Sequence, residues 1–326
     1  RFMLTPNAEN VSRVNFSNNP QITGALPAFF KALQGSPCGS IKTLLMEGVS
    51  FSLVEVQALT EWLLSGKAAQ LKAMVLRSNL LDEESFCLLL NTLINPKCPR
   101  ISVVDFSSNL IGSFKEERWL QLLAQDGEEV FFEQIDYGFN PLTDNDMRLF
   151  LMFMSRFSPL ERTARVGFAS NLISAETLSY YFRALPDGPC CLNFLAIDSC
   201  SIQGCGRYLL EFLSTDASRN LTSLSLRDCG LTKEDVFLLL DGFDNQVCTK
   251  LLSLRLDGNP SIDDSFVSRF IVSYGERSSF PNLSRLDAGY TEIDADGVMA
   301  LINFLKENQG IRLQSIDFTS INVTSE

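Results

Sequence analysis

Thiols and carboxylates are the side chains of this chain that could do chemistry. The chain has nine cysteines and 39 acidic residues but no histidine. It therefore lacks Ser-His-Asp and Cys-His nucleophilic sites and the commonest general acid–base side chain. Cys190–Cys191 and Cys200 with Cys205 do not have the paired C-x-x-C spacing of a zinc site. GCGR, which begins at Gly204, lacks the Gly-Lys-Ser/Thr of a phosphate loop. We expect no catalysis, no metal and no cofactor.

The charge of the chain limits the classes of partner. The 27 basic and 39 acidic residues give a formal net charge of −12. Nucleic acid and anionic lipid surfaces are disfavoured, because contacts to phosphate need basic groups. No apolar run is long enough to span a bilayer, so we expect no membrane insertion. A protein with a basic surface would be attracted at long range.

The residues that could bind such a partner recur with a period of 29–32 residues. Each unit has an apolar residue, two variable residues, an apolar-variable-apolar triplet, two variable residues, and Asn or Cys. The central apolar residue, which we call the anchor, falls at eleven positions: Val14, Leu44, Met74, Val104, Ile135, Val166, Leu195, Leu224, Leu254, Leu286 and Ile316. Five residues after the anchor lies the Asn/Cys slot, which holds Val49, Thr291 and Ile321 in three of the units.

Each anchor predicts a short strand, and helical spacing of apolar residues follows it. Seven helices are predicted, most of them with Ser, Thr or Asp at the start: Ser52–Leu64, Asp82–Leu93, Thr143–Phe157, Ser174–Leu185, Thr232–Phe243, Asp263–Tyr274 and Asp294–Leu305. Ser52 with Glu55, and Thr232 with Asp235, have the spacing of a capping box.

This pattern resembles the leucine-rich repeat, and its period resembles the long, ribonuclease-inhibitor-like subfamily. The resemblance implies an α/β solenoid (a horseshoe) of about eleven repeats, with parallel strands on the concave face and helices on the convex face. We expect one such domain over residues 1–326. The chain begins at Arg1 and ends on a predicted strand with no helix after it, so we expect a fragment of a longer protein.

The residues of the repeats also resemble those of several long-repeat families. These are CARMIL-type actin regulators, which we favour, tropomodulin-like domains and the repeats of NLR innate-immunity receptors. They imply a non-catalytic interaction scaffold or regulatory module, with a role in cytoskeletal regulation in the favoured case. RanGAP-type activators of GTP hydrolysis are the alternative, although no position here matches their catalytic arginine.

The candidate binding residues lie in the variable positions of repeats seven to eleven. Alternate residues of a strand face opposite ways, so residues between the anchors face the concave side. We call the eight candidates the acidic face: Asp198, Arg227, Asp228, Arg255, Asp257, Asp287, Tyr290 and Asp317. They predict a docking surface, or else a solvated ladder in which Arg227 and Arg255 bridge their own aspartates.

Like charges are also expected to face each other across neighbouring strands. The pairs Asp105–Asp136 and Asp287–Asp317 should raise each other's pKa or attract a cation or a basic side chain. Leu45, Val75 and Phe139 suggest some apolar contact area nearer the N-terminus.

The cysteines favour a reducing compartment, and we expect a cytoplasmic protein. Two of them occupy the Asn/Cys slot, and four others lie just before a strand: Cys38, Cys98, Cys190 and Cys248. Positions fixed by the repeat and an odd count argue for free thiols. Extracellular adhesion is the alternative, and it would require disulfides.

Overall fold

The computed structural model describes residues 9–35, 39–158, 160–188, 190–308 and 311–321. The chain divides into two compact units, Arg1–Thr163 and Ala164–Glu326. Both consist of strand–helix modules that follow one another along the chain. Cys38 and the residues from 322 onward lie outside the described part, so the expectations for them stay predictions.

Every predicted anchor is the middle residue of a three-residue strand. The first unit contains β1 Arg13–Asn15, β2 Thr43–Leu45, β3 Ala73–Val75, β4 Val103–Asp105 and β5 Gln134–Asp136. The second contains β6 Arg165–Gly167, β7 Phe194–Ala196, β8 Ser223–Ser225, β9 Ser253–Arg255, β10 Arg285–Asp287 and β11 Ser315–Asp317. Within each unit, consecutive strands pair in parallel with anchor opposite anchor. The predicted alternation of parallel strands and helices is confirmed.

Helices follow the strands. In the first unit they are α1 Leu26–Gln34, α2 Leu53–Leu64, α3 Glu83–Leu93, α4 Glu116–Leu123 and α5 Asp144–Phe157. In the second they are α6 Ala175–Ala184, α7 Gly206–Leu213, α8 Lys233–Asp244, α9 Asp264–Ile271 and α10 Ala295–Glu307. The sequence did not predict α1, α4 and α7, which are preceded by Ala25, Lys115 and Cys205 rather than by a capping side chain. The helix predicted over Asp263–Tyr274 ends at Ile271 and continues as a π-helix over Val272–Glu276.

The Ser, Thr or Asp that opens each of the seven predicted helices is its N-cap. At Thr232, the hydroxyl accepts a hydrogen bond from Asp235 N, and the Asp235 carboxylate accepts one from Thr232 N. The same carboxylate accepts hydrogen bonds from Gly204 N at 3.0 Å and Gly206 N at 2.7 Å in the preceding repeat. One buried carboxylate thus caps a helix and binds it to its neighbour.

The asparagine of the slot connects successive repeats within the first unit. Asn109 is 5% exposed, and its Oδ1 accepts hydrogen bonds from Asn79 N and Leu81 N of the preceding repeat, both at 3.1 Å. Its Nδ2 donates to Leu76 O at 3.0 Å and Phe106 O at 2.9 Å. Asn79 makes the equivalent bonds one repeat earlier. These side chains satisfy buried backbone groups that the turn after a three-residue strand leaves unpaired.

Where the slot lacks asparagine, only part of this arrangement is kept. Cys229 Sγ donates to Ile197 O at 3.4 Å and Arg227 O at 3.2 Å, which reproduces the donor half of an asparagine. Thr291 Oγ1 donates to Ala288 O at 2.7 Å within its own repeat. Thr291 therefore keeps one side-chain hydrogen bond to the backbone although it is not an asparagine.

The residue just before the slot is left-handed in every repeat. Its φ lies between 52° and 75° at Asn18, Gly48, Ser78, Ser108, Phe139, Ser170, Ser199, Asp228, Gly258, Tyr290 and Ser320. The backbone N–H there donates to the carbonyl of the neighbouring strand's extension, as in Asp228 N to Asp257 O at 2.9 Å. Small or polar residues dominate the position, because bulky side chains pay a steric cost at positive φ. Phe139 and Tyr290 are the aromatic exceptions.

Aromatic side chains fill the space between the strands and helices of the first unit. Trp62 and Trp119 are both fully buried. Trp119 stacks on Phe114 at 4.4 Å between ring centroids and contacts Phe150 and Phe153 edge-on. Burial of large apolar side chains between modules is the main stabilising contribution in a repeat architecture.

Candidate functional site

The strand register places the acidic face in the second unit. Ser225 is opposite Arg255, Arg255 is opposite Asp287, and Asp287 is opposite Asp317. The anchors of β7 to β10 are buried and that of β11 is half-buried, whereas Arg227, Asp228 and Tyr290 are exposed. The structure therefore brings the eight predicted residues onto neighbouring repeats, on the side of the strands away from the anchors.

Arg227 and Arg255 each form a salt bridge with an aspartate of the next repeat, as in the predicted solvated ladder. Arg227 Nε donates to Asp257 Oδ2, and this hydrogen bond raises the pKa of the Arg227 guanidinium. Arg255 Nε lies 3.4 Å from Asp287 Oδ2. Asp257 and Asp287 are thus neutralised within the protein.

Asp287 is the most deeply buried charged residue of the acidic face, with only 4% of the residue exposed. Arg285 Nε donates to both of its carboxylate oxygens at 2.9 Å. A buried carboxylate needs such partners, because removing it from water costs several kcal/mol. Arg285 was not among the predicted residues. It lies two residues before Asp287 on the same strand, so the alternation of side chains could have found it.

Of the two outcomes expected for facing aspartates, the pair Asp287–Asp317 shows the attraction of basic side chains, since Arg255 and Arg285 contact Asp287. The pKa of Asp317 is lowered rather than raised. Hydrogen bonds from the Thr319 hydroxyl and from Thr319 N, the latter at 2.8 Å, lower the pKa of Asp317. The positive charges of Arg285 and Arg227 act in the same direction. Because Arg285 and Arg255 both contact Asp287, the carboxylate opposite Asp317 is not an unscreened like charge.

Three carboxylates of the face make no salt bridge with any lysine or arginine of the described residues: Asp198, Asp228 and Asp317. Asp198 Oδ1 accepts a hydrogen bond from Arg227 N at 3.0 Å. Asp317 is bound by Thr319, and Asp228 is exposed at the left-handed position. These three carboxylates therefore carry the negative charge of the face that forms no salt bridge within the described residues, while the positive charge of Arg227 acts on all three.

Some polar atoms of the acidic face and of the adjoining strand β8 are buried without a hydrogen-bond partner in the described part of the chain. They are Ser225 Oγ, Arg255 Nε and Asp257 Oδ1. Most buried polar atoms in proteins are hydrogen-bonded, so each of these has unused bonding capacity. Arg255 Nε contacts Asp287 as an ion pair but without hydrogen-bond geometry.

Exposed apolar side chains occur on the first unit. Leu80 is 53% exposed, Leu110 57% and Phe139 55%. Leu45 and Val75, which were predicted to contribute contact area, are half-buried on neighbouring strands. An apolar contribution to binding from this unit stays a prediction.

The chemistry of the thiols is that of buried structural groups. Burial raises the pKa of Cys200 to about 11 and that of Cys87 to about 12. Thiolates are the reactive form, so these cysteines are poor nucleophiles near neutral pH. Within the described ranges, no group of three or more His, Cys, Asp or Glu side chains could hold a metal ion.

Helix length and hydropathy give one further finding. None of the helices in the described residues is both long enough and apolar enough to cross a membrane.

Comparison with known proteins gives a fold rather than a relative. No protein-family model matches the chain, and no curated protein matches it. Among solved structures, an internalin from Listeria monocytogenes superposes on 94% of this chain and 67% of its own, with 12% identity and a TM-score of 0.52. Internalin is a leucine-rich-repeat protein. The chain has the leucine-rich-repeat fold.

The predicted leucine-rich-repeat architecture is therefore confirmed at the level of the fold. The leucine-rich-repeat domain of APL1B gives a weaker superposition, with 14% identity, coverage of 98% of this chain and 75% of the other, and a TM-score of 0.46. Identities this low carry no information about partners. The ribonuclease-inhibitor-like subfamily and the CARMIL-type resemblance stay predictions.

Proposed function

We propose that this leucine-rich-repeat chain is a non-catalytic interaction domain that binds a protein with a basic surface through the acidic face. The observation that carries the proposal is the division of its carboxylates. Asp257 and Asp287 are neutralised by arginines, whereas Asp198, Asp228 and Asp317 form no salt bridge with the described residues and so can bind a basic group of a partner. The net charge of −12 adds long-range attraction for a basic protein.

A reducing compartment such as the cytoplasm fits the thiols. The eight cysteines among the described residues are free, and six of them are buried. The domain would act as a scaffold or regulatory module, with the cytoskeleton as the favoured setting from the resemblance of its repeats. Stimulation of GTP hydrolysis by a small GTPase is the assay that would support the activator alternative.

The test neutralises the three unpaired carboxylates together. The variant Asp198→Asn/Asp228→Asn/Asp317→Asn removes three negative charges from the strand side of the second unit. The control is Glu211→Gln/Glu234→Gln/Glu276→Gln, which removes three exposed negative charges from the helical side of the same unit. Both variants have the same net charge, so a difference between them reports the position of the charge.

Purified chain would be tested against the proteins that it enriches from its source cells, with each binding constant then measured using the purified partner. We expect the strand-side variant to bind about three- to hundredfold more weakly, because three ion pairs of about 0.2–1 kcal/mol each are removed. The control should keep its affinity within about twofold. Equal affinities of the two variants would contradict the proposed surface.

A further inference from the structure

Tyr290 is an aromatic side chain in an unfavourable backbone conformation without compensating burial. Its φ is 52°, and 60% of the residue is exposed. No ring contact or hydrogen bond of its side chain is formed with the described residues. Most other repeats have Ser, Gly or Asn at this position. A bulky residue held at positive φ with an exposed ring is poorly explained by stability of the fold.

Asp228 occupies the same position two repeats earlier, and its carboxylate lies over the repeat between them. A Cβ added to Gly258 would come within 1.9 Å of Asp228 Oδ1 and 2.6 Å of its Cγ. The carboxylate therefore fills the space above a residue that has no side chain. Neighbouring strands are about 4.8 Å apart, which places the backbones of Asp228 and Tyr290 roughly 10 Å from each other.

The second unit thus presents a carboxylate that lies over Gly258 and, at the equivalent position of the next repeat, an exposed ring. The Asp228 carboxylate makes no salt bridge with a described lysine or arginine. The Asp228 carboxylate and the exposed Tyr290 ring belong to equivalent positions two repeats apart, and a planar cation held between these positions could contact both. Arginine fits better than lysine, because its guanidinium donates two parallel hydrogen bonds to a carboxylate and stacks on a ring.

We propose that Asp228, Gly258 and Tyr290 form a clamp for one arginine side chain of the partner. The guanidinium donates to the Asp228 carboxylate, which lies over Gly258, and stacks on the Tyr290 ring. The inference rests on the proposed function, since it names the group by which a basic partner is recognised on the acidic face. Charge complementarity selects the occupant, because unpaired negative charge lies at one end of the clamp.

The clamp can be tested without knowing the partner. The whole chain is labelled with 3-fluorotyrosine, and the ¹⁹F resonance of Tyr290 among the six tyrosines is assigned from the variant Tyr290→Phe. The probe is N-acetyl-arginine methylamide. We expect a saturable shift of the Tyr290 resonance alone. The citrulline analogue, which is nearly isosteric but uncharged, should give no saturable shift, and the lysine analogue should bind about two- to fivefold more weakly than the arginine probe.

Two variants separate the clamp from the general charge of the face. Asp228→Asn should weaken arginine binding about two- to fivefold, as removal of one exposed ion pair does. Asp257→Asn removes an equal charge next to Gly258, from a carboxylate that is already paired with Arg227. It should change the affinity for the arginine probe by less than about twofold. The inference is overturned if Tyr290 does not respond, if citrulline shifts it equally, or if the two variants behave alike.

Failure of the clamp and failure of the proposed function give different results. If Tyr290 is silent but the triple asparagine variant still loses its partners, the acidic face binds and the clamp is wrong. If Tyr290 binds arginine but partner binding is indifferent to the triple variant, the clamp exists and the proposed docking surface is wrong.

Discussion

Replacing Asn109 by alanine tests whether the asparagine slot holds the repeats together. Asn109 Oδ1 is the acceptor for two backbone N–H groups, those of Asn79 and Leu81. In alanine both become buried donors without a partner, and each such group costs about 1–3 kcal/mol. Leu76 O also loses a donor but keeps the hydrogen bond from Asn79 Nδ2. We expect the free energy of unfolding to fall by about 3 kcal/mol.

Asn19 provides the matched control in the same unit. It occupies the slot of the first repeat. Its Nδ2 donates to Phe16 O and Ser17 O, and among the described residues its Oδ1 accepts only from the exposed side chain of Gln21. No buried N–H of the described residues loses its acceptor in Asn19→Ala, so the expected loss is below about 1 kcal/mol.

The assay is urea unfolding followed by tryptophan fluorescence. The only two tryptophans of the chain, Trp62 and Trp119, are fully buried in the first unit together with Asn109 and Asn19. The signal therefore reports unfolding of the unit that carries both substitutions. Losses that agree within about 0.5 kcal/mol, or a loss below about 1 kcal/mol at Asn109, would refute the argument that the slot acts by satisfying the neighbouring repeat.

Three further predictions concern thiols, a turn and a cap. Iodoacetamide near neutral pH should alkylate exposed Cys191 well before Cys98 and Cys248, as mapped by mass spectrometry. The reason is that burial raises the pKa of the Cys98 and Cys248 thiols to about 12. Equal alkylation rates of the three thiols would contradict this prediction. In thermal unfolding followed by circular dichroism, Gly258→Ala should destabilise the second unit by about 1 kcal/mol more than Gly230→Ala. Both glycines have positive φ, but only at Gly258 does an added Cβ meet a neighbouring carboxylate, that of Asp228. Equal losses of stability in the two variants would show that Asp228 moves away without cost. Burial opposes ionisation of Asp235, but hydrogen bonds from Thr232, Gly204 and Gly206 outweigh it and lower its pKa below the ordinary value of 3.8. The stability that ionised Asp235 contributes is therefore present above that value and lost as pH falls through the lower folded-state pKa. The difference in free energy of unfolding between the original chain and Asp235→Asn should be constant near neutral pH and shrink under acid conditions. A difference that does not change with pH would contradict the lowered pKa.

The strands were predictable to the residue because the repeat imposes one register on all of them. Each anchor had the same sequence environment, so an ambiguous unit such as that of Val166 could be placed from its neighbours. The helices were predictable only where a capping side chain marked the start. Helices α1, α4 and α7 have no such residue, and packing against neighbouring helices compensates for the missing signal.

The candidate site was predictable in its membership but not in its pairing. Alternation along the strand placed Asp257 and Asp287 on the correct side, but it could not show which carboxylate an arginine would reach. The arginine side chain has several rotatable bonds, and Arg285 approaches Asp287 from its own strand while Arg255 approaches from the next. In the sequence, the left-handed position is occupied mostly by serine, glycine and asparagine, but only the structure shows that the Tyr290 side chain at this position is exposed.

The pairing of charges decides how the face can discriminate between partners. An overall charge of −12 attracts any basic protein, and over distances beyond roughly 8 Å this attraction is screened at physiological ionic strength. Selectivity must therefore come from contacts at short range, where geometry counts. Arginines 227, 255 and 285 neutralise the centre of the face and leave charge at defined points. A partner that merely carries positive charge gains little there, whereas one that presents a planar cation between Asp228 and Tyr290 gains both an ion pair and a stacked ring.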